Sequence, residues 1–135
     1  MGKDLKDILL KDISARLPYG TMTYLQNSID AFDSELCTLV LEHVINDEYV
    51  VKPYLFPMSS MTEEQCYEFY CRFVENEIDY NDFKEYYFDN GLWHKVLTSI
   101  DDCSRVIDWF NKNHFDYRNL IDKKLAIDCT NLNIY

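Results

Sequence analysis

Hydrophobic residues recur every three or four positions near the start of the chain, on one face of a helix: Leu5, Ile8, Leu9 and Ile13. Charged residues fill most of the positions between them. The pattern predicts a short amphipathic helix over residues 3–17. Pro18 cannot continue the hydrogen-bond ladder of a helix and Gly20 can adopt a positive φ, so we expect the helix to end there in a turn.

Three segments that follow are rich in β-branched and aromatic residues, which favour strands. They cover residues 21–26, 36–44 and 49–51. Turn-forming residues separate them at positions 27–28 and 46–47. This pattern predicts a small antiparallel sheet of about three strands.

Two prolines mark the next segment, residues 52–57. Because proline has no backbone N–H, we expect this segment to be an extended connector and not a central strand. Beyond it, Thr62 and Gln65 have the spacing of a capping box, in which each side chain binds the other residue's backbone N–H. The sequence therefore predicts a helix that begins after Thr62.

Aromatic residues recur at helical spacing through much of the C-terminal half. One stripe contains Cys66, Phe69, Tyr70 and Phe73, and a second contains Tyr80, Phe83, Tyr87 and Phe88. A further helical pattern ends near Asn113, and apolar residues that alternate after Lys123 predict a last short strand. We therefore expect an α+β fold with an N-terminal helix, a small antiparallel sheet and a mainly helical C-terminal half.

The composition is typical of a single folded domain. With 135 residues, of which 47% are hydrophobic, the chain is long and apolar enough to bury a core. We expect one domain over residues 1–135, with the helix and sheet in residues 1–57 and the helical half in residues 58–135. The three glycines are far apart, which excludes glycine-rich loops that bind phosphates or dinucleotides. No cofactor is therefore predicted.

The chain is strongly acidic. Asp and Glu number 24 against 13 Lys and Arg, which gives a net charge of −11. This is the wrong sign for direct binding to nucleic acid or to an anionic membrane surface. No apolar run is long enough for a signal or membrane-spanning segment, so we expect a cytoplasmic protein. The five cysteines include no C-x-x-C pair, a usage typical of reduced thiols.

Much of this charge lies in residues 62–90, which contain nine acidic and two basic residues. The candidate partner-binding residues among them lie away from the aromatic stripes: Glu64, Glu68, Glu75, Asp82, Glu85 and Asp89. Carboxylates one helical turn apart are about 5–6 Å from each other, a row that a cationic groove can accept in place of phosphates. The alternative is that these residues only form solvated helix faces and keep the protein soluble.

His114 and Asp116 form the most enzyme-like pair, because a histidine beside a carboxylate can act as a general base near neutral pH. The alternative is structural: His114 caps the last carbonyls of a helix and Asp116 pairs with Arg118. No nucleophile motif such as G-x-S-x-G accompanies the pair, which favours the structural interpretation. The histidines at positions 43, 94 and 114 lack the spacing of a helical metal pair, so no metal site is predicted.

Four stretches of the chain occur in this order: SARLPYG at residues 14–20, VKPYLFPMSSMTEE at residues 51–64, DWFNKNHFDYR at residues 108–118 and LAID at residues 125–128. Together they resemble a family of short uncharacterised proteins of gut Bacteroidetes genomes and their prophages. The resemblance implies a phage or mobile-element origin and no known activity.

The same resemblance identifies two positions where this chain departs from the family. Its members commonly have glycine where this chain has Asn119 and Lys124, and a longer, glycine-richer β segment between the first two stretches. Asn tolerates a positive φ, whereas Lys is strained there. We therefore expect the turn near residue 124 to differ from that of the family.

The sequence thus predicts a non-catalytic, acidic protein-interaction module that binds a partner with a basic surface. Its proposed role is that of a phage or mobile-element inhibitor or regulator, of the anti-defence or nucleic-acid-mimic type. Two alternatives remain open. One is a small enzyme that uses His114 and Asp116. The other is a structural or assembly protein, a homo-oligomer whose aromatic side chains pair its subunits.

Overall fold

The computed structural model describes residues 2–74, 78–89 and 103–135. These residues form an α+β fold with an N-terminal helix, as predicted. The helices are α1 (Lys3–Ala15), α2 (Thr38–Ile45), α3 (Glu63–Phe73), α4 (Tyr80–Phe83) and α5 (Cys103–Lys112). The strands are β1 (Met22–Gln26), β2 (Ala31–Glu35), β3 (Val50–Pro57), β4 (Phe115–Asp116) and β5 (Ile127–Asp128). Two 3₁₀ turns cover Leu17–Tyr19 and Met58–Ser60, and a π-helical turn covers Lys84–Phe88.

The described chain divides into two compact units. We call Met1–Met58 together with Phe110–Tyr135 the sheet unit, and Ser59–Trp109 the helical unit. That the whole chain is one domain stays a prediction. No helix in the described ranges is both long enough and apolar enough to cross a bilayer.

The sheet lies entirely within the sheet unit and has the order β2-β1-β3-β4, with β5 also paired to β3. β1 pairs antiparallel with both β2 and β3. β4 and β5 pair parallel with β3, so the last part of the chain completes a sheet begun by the first part. The predicted antiparallel core of about three strands is therefore present, and two short parallel strands extend it.

The strand predicted over residues 36–44 is wrong, because this segment forms α2. Val40 and Val44 lie one turn apart in α2 and are buried, as is Leu36 just before the helix, so the helical conformation places both valines on one face against the core. This burial outweighs the strand propensity of the β-branched residues. The second strand of the hairpin is β2, whose largely exposed residues lack the apolar alternation that identifies a strand.

The connector predicted over residues 52–57 is also wrong, because these residues belong to β3. Pro53 is the last β3 residue that pairs with β1, and Pro57 ends the strand. After Pro53, Tyr54 and Leu55 pair with β5, and Phe56 and Pro57 pair with β4. The two prolines therefore stand at the ends of ladders, where a missing N–H costs little.

The core of the sheet unit forms between the sheet, α1, α2 and the turn after β4. Its fully or nearly fully buried residues are Leu9, Ile13, Leu25, Leu36, Val40, Val44, Val51, Leu55, Leu120, Leu125 and Ala126. The predicted stop after α1 is confirmed: Pro18 lies in a 3₁₀ turn that ends at Gly20 with φ +68°. Each fully buried aliphatic side chain contributes about 1.5–3 kcal/mol to stability.

The first α-helix of the helical unit, α3, begins at the predicted capping box. The Thr62 hydroxyl accepts the N–H of Gln65 at 3.2 Å, and the Gln65 side chain accepts the N–H of Thr62 at 2.9 Å. The aromatic face of α3 packs on α4 and the π-helical turn, with the ring of Tyr70 5.2 Å from Phe83 and 4.7 Å from Tyr87. The predicted amphipathic pattern thus places the aromatic side chains inside this unit.

The turn between β4 and β5 has a left-handed backbone at two positions. Asn119 has φ +58° and Lys124 has φ +62°. Lys124 adopts the conformation for which glycine is best suited. Hydrogen bonds from Lys124 N–H to Ile121 O at 3.0 Å and from Leu125 N–H to Leu120 O at 2.8 Å hold it there. That this turn differs from the turn of the family stays a prediction.

We predict that Lys124→Gly raises the free energy of unfolding by about 0.5–1 kcal/mol, because relief of left-handed strain exceeds the added entropy of the unfolded glycine. Lys124→Ala is the matched control, since it removes the same charge and keeps the Cβ atom. Urea unfolding measures both variants. The Lys124→Ala protein should gain nothing, and equal stability of the two variants would contradict strain at this residue.

Candidate functional site

His114 lies where the chain leaves α5 and enters β4. Its backbone N–H donates to the carbonyl of Asn111 at 3.2 Å, and its backbone carbonyl accepts the N–H of Phe56 at 2.8 Å. Its φ of +62° makes the sharp turn between these two bonds. The backbone of His114 therefore ends the helix and aligns β4 beside β3, which agrees with the capping role of the structural interpretation.

The His114 side chain is packed against its neighbours. Its ring stacks on Tyr135 with a centroid distance of 3.7 Å and an angle of 9°, and its Nδ1 lies 3.5 Å from the Thr21 hydroxyl. Burial lowers the pKa of His114 from 6.5 to about 4, and the positive charge of Arg16 adds a smaller effect in the same direction. At neutral pH the ring is uncharged and is a weak base, which does not suit general base catalysis.

Asp116 is 4% exposed, and both of its carboxylate oxygens accept backbone hydrogen bonds. Oδ1 accepts the N–H of Leu120 at 2.8 Å and Oδ2 accepts the N–H of Ile121 at 2.9 Å. The predicted pair with Arg118 is wrong, because Arg118 contacts Asp12. Within the described residues no hydrogen bond joins Asp116 to His114, so the carboxylate orients a turn and not the imidazole.

The group that organises this region is a buried ion pair that the sequence analysis missed. Asp12 and Arg16, four residues apart on α1 and its cap, are both 0% exposed and are joined by a 2.8 Å contact. Arg16 also donates to the carbonyl of Phe115 at 2.7 Å, across 99 residues of sequence. The guanidinium lies 5.0 Å from the centre of the Tyr117 ring, and Arg118 adds a 3.4 Å contact to Asp12.

A signal for this pair exists in the sequence. Asp12 and Arg16 each follow a core residue of α1, Leu9 and Ile13, by three positions and so continue its apolar stripe. Opposite charges four residues apart at core-facing positions indicate a buried ion pair. The sequence gives no means of naming the partner strand, which lies about a hundred residues away.

The acidic candidate residues that the structure describes are all exposed: Glu64, Glu68, Asp82, Glu85 and Asp89. Glu75 and His94 lie outside the described residues. Glu68 has two contacts of its own, with Arg72 at 3.7 Å and with the indole N–H of Trp109 at 3.5 Å. The other four carboxylates form no ion pair with any described residue.

The two acidic segments are fixed to each other within the helical unit. The Tyr80 hydroxyl donates to Glu63 at 2.6 Å, and Lys84 lies 3.7 Å from the same carboxylate. The Tyr67 hydroxyl donates to the carbonyl of Ile78 at 2.7 Å. The negative charge of Glu63 is thus used at the junction, while the neighbouring Glu64 remains available to a partner.

Within the described ranges, no group of three or more His, Cys, Asp or Glu side chains is placed to hold a metal ion. The thiols of Cys37, Cys66, Cys71 and Cys129 are free. Burial raises the pKa of Cys66 to about 12 and that of Cys129 to about 11, so both stay protonated at neutral pH. Neither is activated as a nucleophile.

Comparison with known proteins gives no match: no protein-family model fits the chain, and no curated protein or solved structure is significantly similar to it.

We predict that Arg16→Met lowers the free energy of unfolding by about 3–5 kcal/mol, because it leaves the Asp12 carboxylate buried without its closest cation. The double variant Asp12→Leu/Arg16→Met should recover a large part of this loss. Lys11→Met, an exposed cation on the same helix, should change stability by less than about 0.5 kcal/mol. Urea unfolding that shows equal effects for Arg16→Met and Lys11→Met would contradict the buried pair.

The low pKa of His114 predicts a pH dependence of stability. The unfolded chain takes up a proton at His114 near pH 6.5, whereas the folded protein does so only near pH 4. The free energy of unfolding should therefore fall as the pH is lowered from 6.5 to 4, and His114→Gln should remove that part of the slope. An NMR titration with the His114 ring pKa at or above 6.5 would contradict the packed, neutral ring.

Proposed function

We propose that this protein is a non-catalytic interaction module that binds a basic surface of a partner protein. The binding face consists of the exposed carboxylates of the helical unit: Glu64, Glu68, Asp82, Glu85 and Asp89. Glu75, outside the described residues, belongs to the same sequence pattern. The observation that carries the proposal is that four of these carboxylates are exposed and form no ion pair with any described residue.

The arrangement of these carboxylates supports recognition of a cationic surface. Glu64 and Glu68 are four residues apart on α3, one helical turn, so their carboxylates form a short row. Asp82, Glu85 and Asp89 continue the negative charge along α4 and the π-helical turn. Such a field attracts a basic partner over distances of about a Debye length, roughly 10 Å.

The placement of His114 and Asp116 favours a binding function over the small-enzyme alternative. The imidazole is stacked and neutral, and both Asp116 oxygens are occupied by backbone N–H groups. A catalytic base needs a pKa near the working pH and access to a substrate proton. The pKa of His114 is too low for this role, and Asp116 is buried with both oxygens occupied. Both residues therefore serve the fold.

The proposed biological role is inhibition or regulation of a basic host protein, in the cytoplasm, by a phage or mobile-element product. The resemblance of the four stretches to Bacteroidetes and prophage proteins supports the origin, and the exposed carboxylate face supports the mode of action. A row of carboxylates offers a nucleic-acid-binding groove the same sign of charge as phosphates. The partner expected on these grounds is a protein that itself binds DNA or RNA.

We predict that Glu64→Lys/Glu85→Lys/Asp89→Lys abolishes capture of a basic protein from host lysate, because it replaces attraction by repulsion at three exposed positions. The control Asp7→Lys/Glu42→Lys/Asp122→Lys makes the same change in net charge at exposed residues of the sheet unit and should retain capture. Capture by the wild-type protein should weaken at raised ionic strength. Duplex DNA should elute the captured protein if the face mimics nucleic acid.

Two outcomes would contradict the proposal. Equal loss of capture in both triple variants would show that only net charge matters, and capture that survives the first variant would exclude this face. Concentration-dependent self-association of the wild-type protein, with no captured partner, would favour the structural or assembly alternative.

A further inference from the structure

β2 forms an edge of the sheet, and it is exposed. Among the described residues it pairs only with β1, and four of its five residues are exposed. In the hairpin turn before it, the Asn27 side chain accepts the N–H groups of Ile29 at 2.8 Å and Asp30 at 2.6 Å. An ordered strand with one side open can accept another strand.

The register identifies which backbone groups point outward. Asn27 N–H donates to Asp30 O at 2.8 Å at one end of the hairpin, and Leu36 N–H donates to Thr21 O at 2.8 Å at the other. In an antiparallel ladder the direction of the backbone groups alternates along the strand. Even-numbered residues therefore face β1, and Ala31, Asp33 and Glu35 direct their N–H and C=O groups away from the sheet.

The side chains along this edge are acidic. Asp30, Asp33 and Glu35 are all exposed. One oxygen of Asp33 accepts the Tyr54 hydroxyl at 2.6 Å, and its other oxygen has no hydrogen-bond partner among the described residues. If β2 paired antiparallel with β2 of a second copy, with Asp33 at the centre of the pair, the two Asp33 carboxylates would face each other. Like charges directly opposite destabilise a strand pair, so this edge disfavours self-association.

A cavity of about 280 Å³ opens at the hairpin end of the same sheet. It is lined by Gln26, Asn27, Asp47, Glu48, Tyr49 and Val50. One oxygen of Asp47 binds Lys6 and one oxygen of Glu48 binds His43, each at 3.2 Å, which leaves the second oxygen of each carboxylate to another cation. Beside it on β2, Phe32 packs on Tyr49 and is still 42% exposed.

We propose that β2 is a docking edge for an extended cationic segment of a partner protein. The segment adds a strand to the sheet through the outward groups of Ala31, Asp33 and Glu35. Its basic side chains lie beside Asp33 and Glu35. This is recognition by strand addition, in which the backbone supplies affinity and alternate side chains supply specificity. The surface lies in the sheet unit and is independent of the acidic helices.

The test measures amide hydrogen exchange of the whole protein by NMR, with an eight-residue peptide of alternating Lys and Thr as the probe. Exchange at Ala31, Asp33 and Glu35 should slow by about tenfold or more with bound peptide, while Phe32 and Ser34, already bonded to β1, should change little. A matched peptide of alternating Glu and Thr should bind at least about tenfold more weakly. Absence of protection at the three outward amides with the Lys peptide in excess would overturn the proposal.

Two sets of variants distinguish peptide binding at β2 from peptide binding at the acidic residues of the helical unit. Ala31→Pro removes an outward N–H without removing a bond to β1 and should abolish peptide binding, whereas Ala31→Ser should retain it. The Glu64→Lys/Glu85→Lys/Asp89→Lys protein should bind the peptide as the wild type does. Loss of peptide binding in that protein but not in Ala31→Pro would assign the peptide to the acidic helices and overturn the docking edge. The wild-type exchange data decide the matter if Ala31→Pro fails to fold.

Discussion

The structure of the sheet unit depends on one buried ion pair. Arg16 and Asp12 have no exposed surface, and the guanidinium spans from the end of α1 to the carbonyl of Phe115 in β4. Such a pair is costly to bury and is very costly to break, because loss of one partner leaves an uncompensated buried charge. β4 in turn pairs with β3, so the contact between Arg16 and Phe115 links the end of α1 to the sheet.

The same network accounts for the histidine and the carboxylate that resembled a catalytic pair. The positive charge of Arg16 adds to burial in holding His114 neutral, and Asp116 orders the turn that follows β4. Because His114 is stacked and neutral and both oxygens of Asp116 bind backbone N–H groups, these two residues serve the fold, and we expect recognition at the surface. The surface is acidic in both units, with exposed carboxylates on α3 and α4 and along the edge of β2. We therefore expect each of these acidic surfaces to bind a basic partner.

The elements predicted correctly were those determined by neighbouring residues. The capping box at Thr62, the aromatic stripe of α3 and the stop at Gly20 each depend on side chains within four positions of one another. The errors have the opposite origin: α2 resembled a strand because its burial against the core was not visible, and β3 resembled a connector because its ladders come from distant segments. For the candidate site, the exposure of five acidic residues followed from their position opposite the apolar stripe. The contact between Arg16 and Phe115 has no local signature.

Carboxylate footprinting of the protein alone and bound to its captured partner tests the central claim most directly, because it reports each acidic side chain separately. With a carbodiimide label, modification of Glu64, Asp82, Glu85 and Asp89 should fall when the partner is bound, while Asp7, Glu42 and Asp122 should be modified as in the free protein. Unchanged modification of the first four residues in a formed complex would contradict a binding function for the acidic face.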